Sequence, residues 1–107
     1  MNRVILIGNL TKAVEVRYTK TEMKVANFTL AINREVKNKE GNYDADYISC
    51  VAYGNQADLV SKYLDKGSKV SVEGHIQTGS YEKDGKKVYT TDVVVEKIQF
   101  LNSKKEG

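Results

Sequence analysis

Three tyrosines carry the chemistry this chain is best equipped for. Tyr47 and Tyr53 stand six residues apart in a β-like stretch. An even spacing puts two strand residues on one face when no bulge intervenes. Tyr81 opens a later hairpin beside Lys83, Lys86 and Lys87. Flat rings on a solvent-facing surface can stack on the bases of a single-stranded nucleic acid while nearby cations meet its phosphates. Strands also favour tyrosine for packing alone, so the spacing leaves both roles open. Tyr63 differs: it falls on the apolar stripe of a helix and is expected in the core.

The basic residues are dispersed. Lys37 and Lys39 lie in a long hairpin loop beside Glu35 and Glu40, Lys62, Lys66 and Lys69 surround a helix end, and Lys83, Lys86 and Lys87 edge the last hairpin. Each alone reads as solvated surface, but together they line a groove if those loops meet on one side of a barrel. Seventeen Lys and Arg against fourteen Asp and Glu leave a net charge of +3, which permits a nucleic-acid partner without demanding one. Nothing assembles a catalytic centre. His75 has no nucleophile marked beside it, there is no phosphate-cradling glycine loop, and Asp44 and Asp46 near a loop end suit solubility and turn chemistry. One His and one Cys are too few for a zinc site. Cys50 cannot form an internal disulfide, which fits a reducing cytoplasm, and its strand position predicts a small buried hydrophobe. The expectation is a binding protein with no enzyme activity, cofactor or metal.

The elements that must position these residues are mostly strands. The 107 residues are enough for one domain, taken from Met1 to about Leu101, with a short polar tail over 102–107. No apolar run approaches the ~20 residues that span a membrane, and the opening residues are too short an apolar run for an export signal. Strands are expected over Arg3–Leu10 with Gly8 inside, around Val14, Val16 and Tyr18, over Val25–Asn33 and over Asp46–Tyr53, with Val36–Asp44 as a charged loop. Asn55–Asp65 changes to helical spacing, with apolar Leu59, Val60, Tyr63 and Leu64. Asn55 suits its N-cap, Asp58 its positive end and Gly67 its stop. Strands resume over Lys69–Gln77, through a tight hairpin at Asp84-Gly85, and over Thr90–Phe100. This order describes an all-β, five-stranded Greek-key OB-fold barrel with one helix between strands 3 and 4, an architecture that binds single-stranded nucleic acid or oligosaccharide.

Longer stretches now resemble the bacterial-type single-stranded DNA-binding proteins. The opening Asn2-Arg3-Val4-Ile5-Leu6-Ile7-Gly8-Asn9-Leu10-Thr11 is similar to theirs, as are Val16-Arg17-Tyr18-Thr19 and Val25-Ala26-Asn27-Phe28-Thr29-Leu30-Ala31. Tyr63-Leu64-Asp65-Lys66-Gly67-Ser68, Val72-Glu73-Gly74, Ile76-Gln77-Thr78-Gly79-Ser80-Tyr81 and Val88-Tyr89-Thr90-Thr91-Asp92-Val93-Val94 extend the resemblance to about residue 101.

The resemblance implies an OB-fold, a homotetramer, and sequence-tolerant binding of single-stranded DNA during replication, repair or recombination, in the cytoplasm at the nucleoid. Tyr47, Tyr53 and Tyr81 fall where the family places base-stacking aromatics. A fourth such position falls at Val36, which is not aromatic. Arg3, Arg34, Lys39 and Lys66 match positions that are often basic and would serve phosphates, and Lys83 joins them at the last hairpin. The family often has Arg or Lys where this chain has Asn55, Asp65 and Gly79. Its members typically continue into a linker and an acidic, Phe-tipped segment. This chain stops at Lys104-Lys105-Glu106-Gly107, so partner recruitment through such a tip is not expected of it, whether the form is truncated or naturally tail-less. Two alternatives remain: an OB-fold accessory module of the replication-restart type with weak DNA binding, and an RNA-binding OB domain.

Overall fold

The computed structural model describes residues 1–101, and the polar tail expected over 102–107 lies outside them. Apolar residues at alternate positions set the strands. In β3 (Lys24–Lys37), Ala26, Phe28 and Leu30 turn into one interior, and in β4 (Tyr43–Tyr53), Cys50 and Ala52 do the same. The remaining strands are β1 (Val4–Leu10), β2 (Glu15–Tyr18), β5 (Lys69–Lys83) and β6 (Lys86–Phe100), with α1 (Asn55–Tyr63) between β4 and β5. The order β1-β5-β6-β4-β3-β2 closes through a β1–β3 contact at Asn9↔Ala31 and Leu10↔Leu30. β4 and β6 run parallel at Cys50↔Val93 and Val51↔Val94, and every other pairing is antiparallel.

The five long strands form the expected barrel, with the helix between the third and fourth of them. β2 is a short extra edge strand paired with β3 alone. Two glycines permit the closure. Gly8 lies where β1 crosses to β3, and a Cβ there would stand 2.7 Å from the Ala31 carbonyl oxygen. Gly74 follows a register shift in the β5–β6 ladder, and a Cβ there would stand 1.9 Å from the Val94 oxygen. Only glycine allows that approach.

Four expectations about local structure need correction. The helix is capped by Gly54, not Asn55, which is already its first helical residue. The chain leaves β4 through φ +59° at Gly54, a region glycine enters without a Cβ penalty. The helix stops at Tyr63, and Gly67 (φ +90°) instead serves the turn in which the Ser68 amide bonds the Asp65 carbonyl at 3.0 Å. Tyr63 is not core but 55% exposed. The helix lies on the barrel through Ala57, Val60 and Leu64, which share one face at helical spacing, so Leu59 and Tyr63 fall beside that stripe. The Tyr63 ring packs at its edge against Phe100, centroids 5.7 Å apart. Finally, the first long hairpin loop is shorter than expected. β3 and β4 extend towards residues 38–42, where the Asn38 side-chain oxygen accepts the Glu40 and Asn42 amides.

Candidate nucleic-acid interface

β4 fixes the first two tyrosines. Its register against β3 runs unbroken from Asn33↔Ala45 to Val25↔Tyr53, so the even spacing of Tyr47 and Tyr53 holds and both rings leave the barrel on its outer side. They are 68% and 39% exposed. Between them, Val51 meets Val94 of β6. The β5–β6 ladder then continues this surface outward, because Gln77↔Asp92, Gly79↔Thr90 and Tyr81↔Val88 are successive pairs on one face. Tyr53, Gln77, Gly79, Thr90, Asp92 and Val94 line a shallow recess of about 70 Å³. Tyr81, 53% exposed, stands on the same face beyond it. All three tyrosines singled out in the sequence thus share one outer sheet surface.

The five basic candidates do not form one cluster. Lys83 ends β5 at the tip of the β5–β6 arm, and Lys39 tips the β3–β4 arm. Lys66 follows α1, at the opposite end of β5 from Lys83. These three carry no ion pair among the described residues. Arg3 instead pairs with Glu73 on the face that also bears the exposed Ile5 and Ile7. Arg34 is held by Asp46, with Nη2 at 2.9 Å and Nε at 3.2 Å from Oδ1. The hydrogen bond from Arg34, and then its charge, hold the Asp46 carboxyl below the usual carboxylate range. Asp46 is therefore an ion-pair partner rather than simple turn chemistry. That role depends on the Ile32↔Asp46 pairing, which composition and spacing do not reveal.

Val36 is 78% exposed on the β3–β4 arm. His75 pairs with Glu96. Cys50 is fully buried, as expected, and burial pushes its thiol up to about 12. Among the described residues no group of three or more His, Cys, Asp or Glu could hold a metal ion, and no helix is long and apolar enough to cross a membrane.

A closed five-stranded barrel with one helix before its fourth long strand, carrying exposed aromatic side chains along one outer sheet, defines an OB-fold protein. Residues 1–101 match the single-strand binding protein family, and the chain belongs to that family. It is 51% identical over 108 residues to single-stranded DNA-binding protein 3 of Listeria innocua, covering all of this chain and 68% of that protein. It is 50% identical to the single-stranded DNA-binding protein of Bacillus cereus, again over all of this chain but 64% of the relative. Single-stranded DNA-binding protein 1 of Staphylococcus aureus is 48% identical over 97% of this chain and 67% of its own length. The chain thus spans roughly two thirds of the length of these relatives, and less than that for some.

Proposed function

We propose that this chain binds single-stranded DNA without sequence preference and shields it during replication, repair and recombination. The observation that carries this reading is the single outer surface on which Tyr47, Tyr53 and Tyr81 are exposed. Bases would stack on these rings, each contact worth roughly 1–3 kcal/mol for any base. Lys39, Lys66 and Lys83 would take phosphates directly, Arg34 after displacing Asp46, and Arg3 after displacing Glu73. The names of the relatives, each a single-stranded DNA-binding protein, support the same ligand.

The reading includes a homotetramer working in the cytoplasm at the nucleoid. From Val4 to Ile7, β1 pairs with β5 alone, so its other edge is open, and Ile5 and Ile7 beside that edge are 65% and 53% exposed. An open edge with apolar neighbours is a surface a second copy can pair with. Four copies of a +3 chain carry +12, a field able to steer DNA inward.

The test is fluorescence anisotropy with labelled dT oligonucleotides against unlabelled single-stranded DNA, duplex DNA and RNA, with sedimentation to count subunits. Saturable binding that single-stranded DNA of any sequence competes away, and duplex does not, supports the reading. So does its loss on joint replacement of Tyr47, Tyr53 and Tyr81 by Ala. RNA competing equally would broaden the ligand to single strands in general. Two of the five basic candidates are held by carboxylates, which favours the accessory-module alternative. Weak binding indifferent to the three tyrosines would establish that alternative instead.

A further inference from the structure

Beyond the barrel, β5 and β6 form a free-standing arm. The β1–β5 ladder ends at Val4↔Gly74, and the side chain of Asn2 completes it by bonding both backbone groups of Ile76, at 2.8 and 2.9 Å. The β4–β6 ladder covers only Val93 and Val94 of β6. Residues 77–92 therefore pair only with each other, and both faces of the arm meet solvent. Its register runs unbroken to Lys83↔Lys86, closed by a two-residue turn with positive φ at Asp84 and Gly85. Such a turn matches the natural strand twist and fixes which residues share a face. Tyr81↔Val88 and Ser80↔Tyr89 are adjacent pairs, so Tyr81 and Tyr89 point to opposite faces of the arm.

Tyr89 is 74% exposed, more than any other tyrosine among the exposed large hydrophobics. Its cross-strand neighbour Ser80 is too small to cover the ring, and the Nζ of Lys87 lies 5.7 Å from the ring centroid. A single exposed tyrosine is ordinary on a protein surface. This one combines high exposure, a cation over its ring and a continuous path to the rest of the interface. Its face runs through Thr78↔Thr91 to Ile76↔Val93. There it reaches an apolar cleft of about 440 Å³ at the barrel's open end, which Tyr47 also lines.

We infer that Tyr89 is a further base-stacking position, with Lys87 at the adjoining phosphate, so that single-stranded DNA contacts both faces of the β5–β6 arm. The inference rests on the proposed single-stranded DNA reading. A strand lying over Tyr53 and Tyr81 needs only to turn across an unpaired edge of the arm to reach Tyr89. The chain thus has a platform here while lacking one at Val36.

The test is photo-crosslinking of the full chain to a 5-bromouracil-substituted dT oligonucleotide with peptide mapping, alongside titrations of Tyr89→Ala, Tyr89→Phe and Lys87→Ala. The inference predicts a crosslink on Tyr89, a weakening of about 5- to 150-fold in Tyr89→Ala, and near-native binding in Tyr89→Phe. Lys87→Ala should flatten the salt dependence by about 0.7 in log–log slope. If Tyr89→Ala binds like the parent and Tyr89 never crosslinks, while Tyr81→Ala weakens binding, the inference fails and the reading beneath it stands. A Tyr89→Ala variant that instead changes subunit number in sedimentation would assign the ring to packing between copies and also overturn the inference. A parent chain that binds no single-stranded DNA removes both.

Discussion

Asp46 occupies the guanidinium fork of Arg34, with Nη2 at 2.9 Å and Nε at 3.2 Å from the same carboxylate oxygen. Both side chains face solvent on the β3–β4 arm. An exposed pair of this kind contributes little to stability, so its main consequence falls on binding. A phosphate approaching Arg34 must first displace a carboxylate that already has the geometry phosphate would use.

Replacing Asp46 by Asn should therefore strengthen binding of single-stranded DNA and steepen its salt dependence. One freed phosphate contact adds about 0.7 to the log–log slope for a single strand. Titrations at several salt concentrations measure it, and an unchanged slope would show that Arg34 takes no phosphate. The pair also has a pH signature. Because the Asp46 carboxyl titrates below its ordinary value, its favourable contribution is fully present above the unfolded carboxyl's range and is lost as pH falls through the depressed folded value.

Val36, 78% exposed on the same arm, is the obvious place to add a ring. Val36→Trp should tighten binding by one stacking contact, about 1–3 kcal/mol. A titration at matched salt decides, and no gain would count against placing a base at this position.

Gly74 should tolerate no side chain. Its Cβ would stand 1.9 Å from the Val94 carbonyl oxygen, and a backbone oxygen in a ladder cannot move aside. Gly74→Ala should cost more than about 3 kcal/mol, lowering Tm by at least about 10 °C in a thermal melt. Gly79→Ala is the control, since its Cβ would meet only the Thr90 hydroxyl oxygen, at 3.2 Å.

The elements were largely legible in the sequence because their signals are local. The β-branched and aliphatic run of β1, the apolar positions of β3 and β4, the alternation in β5 and the Asp84-Gly85 turn each declare themselves within a few residues. Tyr47 and Tyr53 were legible for the same reason, as an even spacing on one strand. What escaped depends on distant chain. Tyr63 looks like core from helical periodicity, but which stripe of α1 faces the barrel is settled by where Ala57, Val60 and Leu64 land. Gly54 displaces Asn55 as the cap because the exit from β4 needs a positive φ. The Arg34–Asp46 and Arg3–Glu73 pairs, which tie up two of the five basic candidates, follow from strand register alone.

The thiol of Cys50 should stay unreactive in the folded chain. Burial holds it protonated up to about 12, far above an exposed thiol, and the thiolate is the reactive form. At pH 8 a thiol reagent should label the native chain only as fast as it unfolds, and should label it at once in denaturant. Above the unfolded thiol's range, near 9, the native state holds a proton the unfolded chain has lost, so this group lowers stability as pH rises. Fast labelling of the native chain would contradict the burial.

The central claim is that bases stack on exposed tyrosines. The chain has seven tyrosines and no tryptophan, so intrinsic tyrosine fluorescence reads stacking directly in a titration with poly(dT) at low and high salt. The account predicts strong quenching that saturates at a fixed ratio of nucleotides to chains. Part of it should survive high salt, where phosphate contacts fade and stacking does not. No quenching at low salt, with no binding by any other readout, would contradict the account at its root.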